Sequence, residues 1–370
     1  MRVAVLANLK KNAPQDPGFP EDMWADLDSE GTVNHIADAL RQGGHQATLF
    51  EGDPTLWDNL KQWQPDICFN ICEGHFGDAR EAQVPAILEM LRIPYTGSKV
   101  LTMALTLDKP MTKRVLAYHG LPTPPFQVFE TVNEALDPRL QFPLFVKPSR
   151  EGTGMGVSPN SIVQNEAELR AELREQLQRY RQPILVERFI QGREVTLGVI
   201  GNLVQPIGRQ ALEDVDPPQI GEGLQFLPAL EVDLSRYDPA EGGIYSHRLK
   251  VDLVDQFQYM CPAPLDSEML ARLQWLTAAT FRVTGSLDVA RVDFRLDASD
   301  GLSPYILEIN PLPGLSPGIS DLVIEAEAGG IDYVTLVNMI LEAALRRYGL
   351  HAEIEWQADL TLSTNRVELK

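Results

Sequence analysis

Ala290-Arg291-Val292-Asp293-Phe294-Arg295-Leu296, then Asp297-Ala298-Ser299-Asp300-Gly301, then Tyr305-Ile306-Leu307-Glu308-Ile309-Asn310 alternate apolar and polar residues around an Asp/Gly turn signal. Period two on both sides of such a turn predicts a β-hairpin. Side chains two apart share a face, so Arg291 and Asp293 point one way on the first strand, and Glu308 and Asn310 do likewise on the second. Val292, Phe294, Leu307 and Ile309 are then expected to face the core. Two carboxylates and an amide oxygen are hard ligands suited to Mg²⁺, which retains waters and adds phosphate oxygens. A solvated sheet face laced with ion pairs would give the same alternation. Two features favour a functional rim: Asn is a poor strand residue, and Pro311-Leu312-Pro313-Gly314 ends the strand immediately.

Upstream, Pro143-Leu144-Phe145-Val146-Lys147 reads as a buried strand closed by a lysine, followed by Pro148-Ser149-Arg150-Glu151-Gly152-Thr153-Gly154-Met155-Gly156-Val157. Alternate glycines let backbone N–H groups approach phosphate oxygens, and Lys147 would neutralise them. The Gly-Lys-Ser/Thr ending of a Walker A loop is absent, and a glycine run is also compatible with a plain flexible turn. In Ile184-Leu185-Val186-Glu187-Arg188-Phe189-Ile190-Gln191-Gly192-Arg193-Glu194 an acid interrupts an apolar strand, which is costly without a partner. Glu187 could accept an adenine amino group, with Glu194 near a ribose hydroxyl. A Glu187–Arg188 pair at a sheet edge is the alternative.

The whole chain has 370 residues, a length that suggests two or three packed units. Near the N-terminus, Val3 to Ala7, Gln46 to Phe50 and Ile67 to Asn70 read as strands. A helix from Thr32 to Gln42 lies between the first two, giving a βαβ rhythm and an open parallel sheet. Further helices are expected over Met111–Tyr118, Glu166–Arg179, Leu265–Val283 and Val334–Tyr348. No apolar run is long enough to span a bilayer, and a cytoplasmic address is expected. The formal net charge of −20 argues against nucleic-acid binding, which needs clustered Lys and Arg. Cys68, Cys72 and Cys261 are too few and too scattered for a disulfide framework or a zinc site, so structural roles are expected.

Taken in order, these segments resemble the ATP-grasp superfamily, and specifically the D-alanine–D-alanine ligase family. The likeness runs over about residues 66 to 350. Besides the three segments above, it includes Phe69-Asn70, Ile93-Pro94-Tyr95-Thr96-Gly97-Ser98 and Leu107-Asp108-Lys109. The resemblance implies an α/β chain, α+β in the ATP-grasp part, with an N-terminal parallel-sheet domain at 1–100. Two ATP-grasp lobes at 101–190 and 191–350 follow, then an extension at 351–370. It implies that Lys109, Lys147, Gly154 and Gly156 contact ATP phosphates, with Lys250 adding a positive charge from a loop. Glu187 and Ile190 would hold adenine and Glu194 the ribose. Asp293, Glu308 and Asn310 would bind two Mg²⁺, for which Mn²⁺ could substitute. Arg291, the Gly314 N–H and the Thr153 loop would serve the reaction itself. That reaction phosphorylates a carboxylate and then transfers the acyl group to an amine, using positioning and charge neutralisation. Its substrates would be small amino acids or carboxylates, and the protein would be a homodimer that neither spans a membrane nor binds nucleic acid.

The departures fall at the amino-acid end. The N-terminal region, Ala7-Asn8-Leu9-Lys10-Lys11, lacks the family's glycine-rich loop with its ammonium-binding Glu and carries an acidic, proline-rich insertion instead. Glu73-Gly74 stands where His-Gly is usual, so Glu73 either meets a substrate ammonium or is an ordinary loop acid. The family's loop tyrosine has no counterpart near Val251 or Asp252. After Asn310 the family's Thr-Ser-Pro-Gly-Met-Thr and carboxylate-reading serine give way to Pro311-Leu312-Pro313-Gly314-Leu315-Ser316-Pro317-Gly318-Ile319, with Ser316 or Ser320 as possible substitutes. D-Ala–D-Ala ligation, a related ligation with other substrates, and a nucleotide sensor without turnover therefore all stand as readings. The full set Arg291, Asp293, Glu308 and Asn310 argues against the sensor.

Overall fold

Apolar runs bounded by turn residues form the strands, and cap residues set the helix starts. In the computed structural model, which describes residues 1–204, 220–233 and 258–350, β1 (Arg2–Ala7), β2 (Gln46–Glu51) and β3 (Ile67–Asn70) make a parallel sheet ordered β2-β1-β3. Between β1 and β2 lies α1 (Glu30–Gln42), where the Ser29 hydroxyl accepts the Thr32 N–H as an N-cap. The expected βαβ rhythm is thus present; α2 (Leu56–Trp63) follows β2, and α3 (Gln83–Leu91) and α4 (Val100–Leu107) follow β3. Lys250 and the 351–370 extension lie outside the described residues.

A second, antiparallel sheet is ordered β4-β7-β5-β6, from β4 (Phe126–Phe129), β5 (Leu144–Pro148), β6 (Ile162–Val163) and β7 (Ile184–Arg188). Its core packs Val146, Ile184 and Val186 against Leu169 and Leu173 of α6 (Glu166–Tyr180). The third sheet is built on β8 (Gly192–Gly201) and β12 (Asp288–Asp297), paired along their full length, with β13 (Ser303–Asn310) beyond β12. On the other side of β8 lie β9 (Leu224–Phe226) and β10 (Leu230–Asp233), the latter continued by β11 (Gln258–Met260). Behind it lie α5 (Lys109–Tyr118) and α7 (Ser267–Thr284), whose Leu116, Leu273 and Phe281 meet Val195, Val292 and Phe294.

The N-terminal sheet does not close its own core. Val3, Val5, Ile36 and Leu40 pack with Leu322 of α8 (Asp321–Ala328) and with Leu336, Val337, Ile340 and Leu341 of α9 (Tyr333–Tyr348). Nothing in the period of either segment names that partner, and it bridges the units expected at 1–100 and 191–350. Among the described residues no single helix is long and apolar enough to cross a membrane.

Asp288, fully buried, pins this junction. Its carboxylate receives Arg347 Nη2 of α9 at 2.6 Å, the Gly97 N–H at 2.9 Å and Asn202 Nδ2 at 2.8 Å. Removing the guanidinium leaves a buried charge without its counterion, which costs about 3–5 kcal/mol. An Arg347→Met protein should therefore show a lower urea midpoint with little change in slope. An unchanged midpoint would remove this ion pair from the account of the junction.

Candidate functional site

Asp293 and Glu308 are directly opposite each other across β12 and β13, and Arg291 is opposite Asn310. The register then jumps: Phe294 faces Ile306, so Leu307 is an extra residue in a β-bulge. This corrects the expectation for Leu307. The bulge gives the core place to Ile306, fully buried, while Leu307 joins Glu308 in lining the cleft beside Lys147. Val292, Phe294 and Ile309 are buried as their spacing requires.

The Asp293 carboxylate accepts Thr196 Oγ1 at 2.6 Å, Arg291 Nε at 2.9 Å and Asn310 Nδ2 at 2.9 Å. Glu308 lies 3.3 Å from Lys109 Nζ. Burial alone would raise the Glu308 carboxyl, but Lys109 and then Lys147 hold it down at about 2. A carboxylate kept charged inside a cleft is what a hard cation requires. Among the described residues no group of three or more His, Cys, Asp or Glu is placed to hold a metal ion by itself. Asp293, Glu308 and the Asn310 amide oxygen therefore form an open donor set, which fits ions that complete their shells with phosphate oxygens and water.

The cleft between the second and third sheets is lined by Lys109, Lys147, Gly154, Ile190, Glu194 and Leu307, among others. Glu187 faces it as well, but neither the open adenine acceptor nor the Arg188 pair describes its contacts. Its oxygens lie 2.6 Å from Lys113 Nζ and 2.9 Å from Lys147 Nζ, and Arg188 instead reaches Asp297 at 3.0 Å. Burial lowers the Lys113 ammonium, against the pull of Glu187. For Lys147, Glu187 and Glu308 outweigh burial and raise it. Two lysines thus share one carboxylate on this wall of the cleft. Glu194 pairs with Arg295 at 2.8 Å. The β4 and β5 strands flank β7 on both sides, so Glu187 is central in its sheet and not at an edge.

The glycine-rich turn follows β5, with Thr153, Gly154 and Gly156 at φ of 53°, 71° and 72°. Gly154 lines the cleft, but Gly156 does not: its N–H is donated to Asp22 Oδ2 at 2.9 Å, and an added Cβ would lie 2.6 Å from Pro148 Cγ. The expectation that Gly156 contacts phosphate is thereby corrected to a structural role. Asp22 also accepts the Tyr180 hydroxyl, so the N-terminal insertion ties down the turn. Further along the insertion, Asp26 meets Arg80 Nη2 at 2.7 Å, and Arg80 Nη1 donates to the Arg150 carbonyl at 2.7 Å.

Beyond the hairpin, a cavity of about 450 Å³ adjoins Arg291, Glu308, Asn310 and Gly314, with Thr153 and Lys109 on its wall. Glu73 and Ser316, both singled out from the sequence, line it, and so do Asp26, Asp28, Glu81 and Asp321, which pattern alone did not single out. Ser320 Oγ accepts the Ser316 N–H at 2.9 Å and lies close against Gly314. Ile319, at the expected serine position, is largely exposed. The signal that could have marked Asp26 and Asp28 was the acidity of the insertion; their convergence with Glu73 is a matter of tertiary packing.

Burial, with Asp26 alongside, pushes the Asp28 carboxyl up from 3.8 to about 7. A folded-state pKa above the unfolded one means the native form holds a proton that the unfolded chain has released. Its stability contribution is present at low pH and is lost as pH rises through about 7. Asp28→Asn should accordingly stabilise the protein by on the order of 2 kcal/mol at pH 8, with the gain fading toward pH 4. Thermal unfolding across that range checks this; a pH-independent gain would contradict it.

The sequence model described as D-ala D-ala ligase C-terminus matches residues 115–214 and 222–342. A D-alanine–D-alanine ligase of Syntrophotalea carbinolica is 34% identical over 316 residues, covering 85% of this chain and 91% of that protein. Its counterpart in Ralstonia pickettii is 33% identical over 329 residues, 88% of each chain. An uncharacterised protein of Sinorhizobium fredii, y4sG, is 33% identical over 366 residues, covering 94% of this chain and 98% of that one. The crystal structure of the Bacillus anthracis D-alanine–D-alanine ligase complexed with ATP superposes with a TM-score of 0.68 at 24% identity, over 95% of this chain and all of that one, and shows the shared fold. The chain belongs to the D-alanine–D-alanine ligase family of ATP-grasp proteins.

Proposed function

We propose that the protein is an ADP-forming carboxylate–amine ligase in which the cleft holds ATP and the adjoining cavity holds the substrates. The supporting observation is the meeting of Lys109, Lys147, Arg291, Asp293 and Glu308 where cleft and cavity join. In this reading 101–190 and 191–350 supply the two lobes around ATP, and the enzyme is a cytoplasmic homodimer. The substrate carboxylate attacks the γ-phosphorus; an O–P bond forms, the bond to the β-phosphate oxygen breaks, and ADP leaves. Lys109 and Lys147 neutralise the transferring group, and Arg291 with the Gly314 N–H stabilises the oxyanion when the amine adds to the acyl phosphate. A C–N bond then forms, phosphate departs and the amine nitrogen loses a proton. Two Mg²⁺ ions, held by Asp293, Glu308 and Asn310, would screen charge between phosphate oxygens when bound. Thr153 and Gly154 form the phosphate-side wall. Ile190 and Glu187 border the adenine end and Glu194 the ribose.

ADP release screened over carboxylate and amine pairs, D-alanine included, tests the reading; ATP binding without release from any pair would contradict it. Glu308→Gln should raise the Mg²⁺ concentration needed for half-maximal nucleotide binding and bring ADP release to background, and normal turnover would remove Glu308 from the metal site. Arg291→Met should cut kcat by about a hundredfold or more with a smaller change in the KM for ATP. A loss confined to KM would remove Arg291 from the transition state.

A further inference from the structure

The glycine-rich turn after β5 stands on the wall of both the cleft and the cavity, through Glu151, Gly152 and Gly154. Its backbone is not a relaxed one. Thr153, at φ of 53°, occupies the left-handed region that a β-branched residue rarely adopts, and such a conformation persists only where the surroundings hold it. From its own lobe, Gln182 Oε1 accepts the Arg150 N–H at 2.8 Å, and Gln176 Nε2 donates to the Gly156 carbonyl at 2.7 Å. Further holds come from the N-terminal end of the chain. Arg80 Nη1 donates to the Arg150 carbonyl at the front of the turn. At the back, Asp22 Oδ2 accepts the Gly156 N–H at 2.9 Å and the Tyr180 hydroxyl at 2.8 Å, and the Asp22 carboxylate faces Arg179 at 3.6 Å. A carboxylate suits that place because it accepts from several donors at once.

A strap sets a turn only if the strap is itself fixed. Leu9 and Asp28 form a bridge at the base of the insertion, and the Lys10 N–H donates to the Asp28 carbonyl at 2.9 Å, so the segment between them leaves and returns at one point. Inside it, Trp24 Nε1 donates to the Pro14 carbonyl at 2.9 Å. The Trp24 ring meets Phe19 edge-on at 5.6 Å, His75 at 5.5 Å and Phe76 at 5.7 Å between centroids. His75 and Phe76 follow β3, so these contacts seat the insertion on the N-terminal domain.

Resting on the proposal that this turn borders the ATP phosphates, we propose that Asp22 is a positioning residue for ATP. It reaches from the insertion into the neighbouring lobe and presets the glycine-rich turn in the form that receives the phosphates. Asp22 acts through Gly156 and does not touch the nucleotide. What it sets is the fraction of molecules whose turn is ready to bind, and affinity for the triphosphate falls in proportion as that fraction falls. The adenine and ribose ends of the cleft, at Glu187, Ile190 and Glu194, stand on β7, β8 and the link between them. A ligand without phosphates is therefore indifferent to the strap.

Calorimetric titration of the whole protein in Mg²⁺, with a non-hydrolysable ATP analogue and separately with adenosine, tests this. Asp22→Ala should weaken the analogue about tenfold and leave adenosine within about twofold. Asp22→Asn, which keeps an oxygen for the Gly156 N–H, should fall between Asp22→Ala and the unaltered protein. Tyr180→Phe keeps the ring and loses only the hydroxyl, and should shift the analogue-to-adenosine ratio the same way by about threefold. If Asp22→Ala does not melt cooperatively, Tyr180→Phe decides by that ratio alone. An unchanged ratio, or equal weakening of both ligands, would reduce Asp22 to a stability fixture and overturn the inference while leaving the ligase reading in place. Failure of the unaltered protein to bind the analogue would count against the ligase reading, and this inference would fall with it.

Discussion

Asp293 pairs with Glu308 across two antiparallel strands, and one residue later the register slips so that Phe294 pairs with Ile306. That slip lets Leu307 and Glu308, consecutive in sequence, both line the cleft, where strict alternation would have sent Leu307 into the core. β12 is held on its other side by ten residues of β8, whose Thr196 hydroxyl fixes Asp293. The site is therefore built on the most extensively paired strands among the described residues, as placement of reacting groups to within a fraction of an ångström demands.

Around this hairpin an acidic chain assembles local positive charge for an anionic nucleotide. The means is a buried alternation of Lys113, Glu187 and Lys147, where the Glu187 carboxylate pairs with both amines and, with Glu308, raises Lys147 against its burial. Lys109, by contrast, spans cleft and cavity through Glu308. The N-terminal insertion is part of the same machinery. Asp22 secures the glycine-rich turn, Asp26 engages Arg80 and through it the Arg150 carbonyl, and Asp28 lines the cavity. One segment thus links the shape of the glycine-rich turn to the wall of the cavity.

The strands of this arrangement were legible in the residues, because period two and turn chemistry are local signals. They placed the hairpin, the strand ending at Lys147 and the parallel β1-β2-β3 sheet within a residue or two. What depended on packing was not legible. The bulge at Leu307 leaves no mark in the alternation. Lys113 reads as one more basic residue in a helix, although its side chain is fully buried against Glu187. Gly156 looked like a phosphate contact because glycine runs are read from composition, whereas its N–H is taken by a residue 134 positions away. Asp28 and Glu81 share a cavity wall only through the fold, and α9 completes the core of a sheet at the other end of the chain.

The central claim is that ATP activates a carboxylate as an acyl phosphate at this hairpin. The most direct measurement uses a carboxylate substrate labelled with oxygen-18 in both carboxyl oxygens, turned over with ATP, Mg²⁺ and an amine, with the released phosphate analysed by mass spectrometry. The account predicts that each phosphate carries one labelled oxygen, taken from the carboxylate when the acyl phosphate breaks down. Unlabelled phosphate accompanying amide product would contradict it.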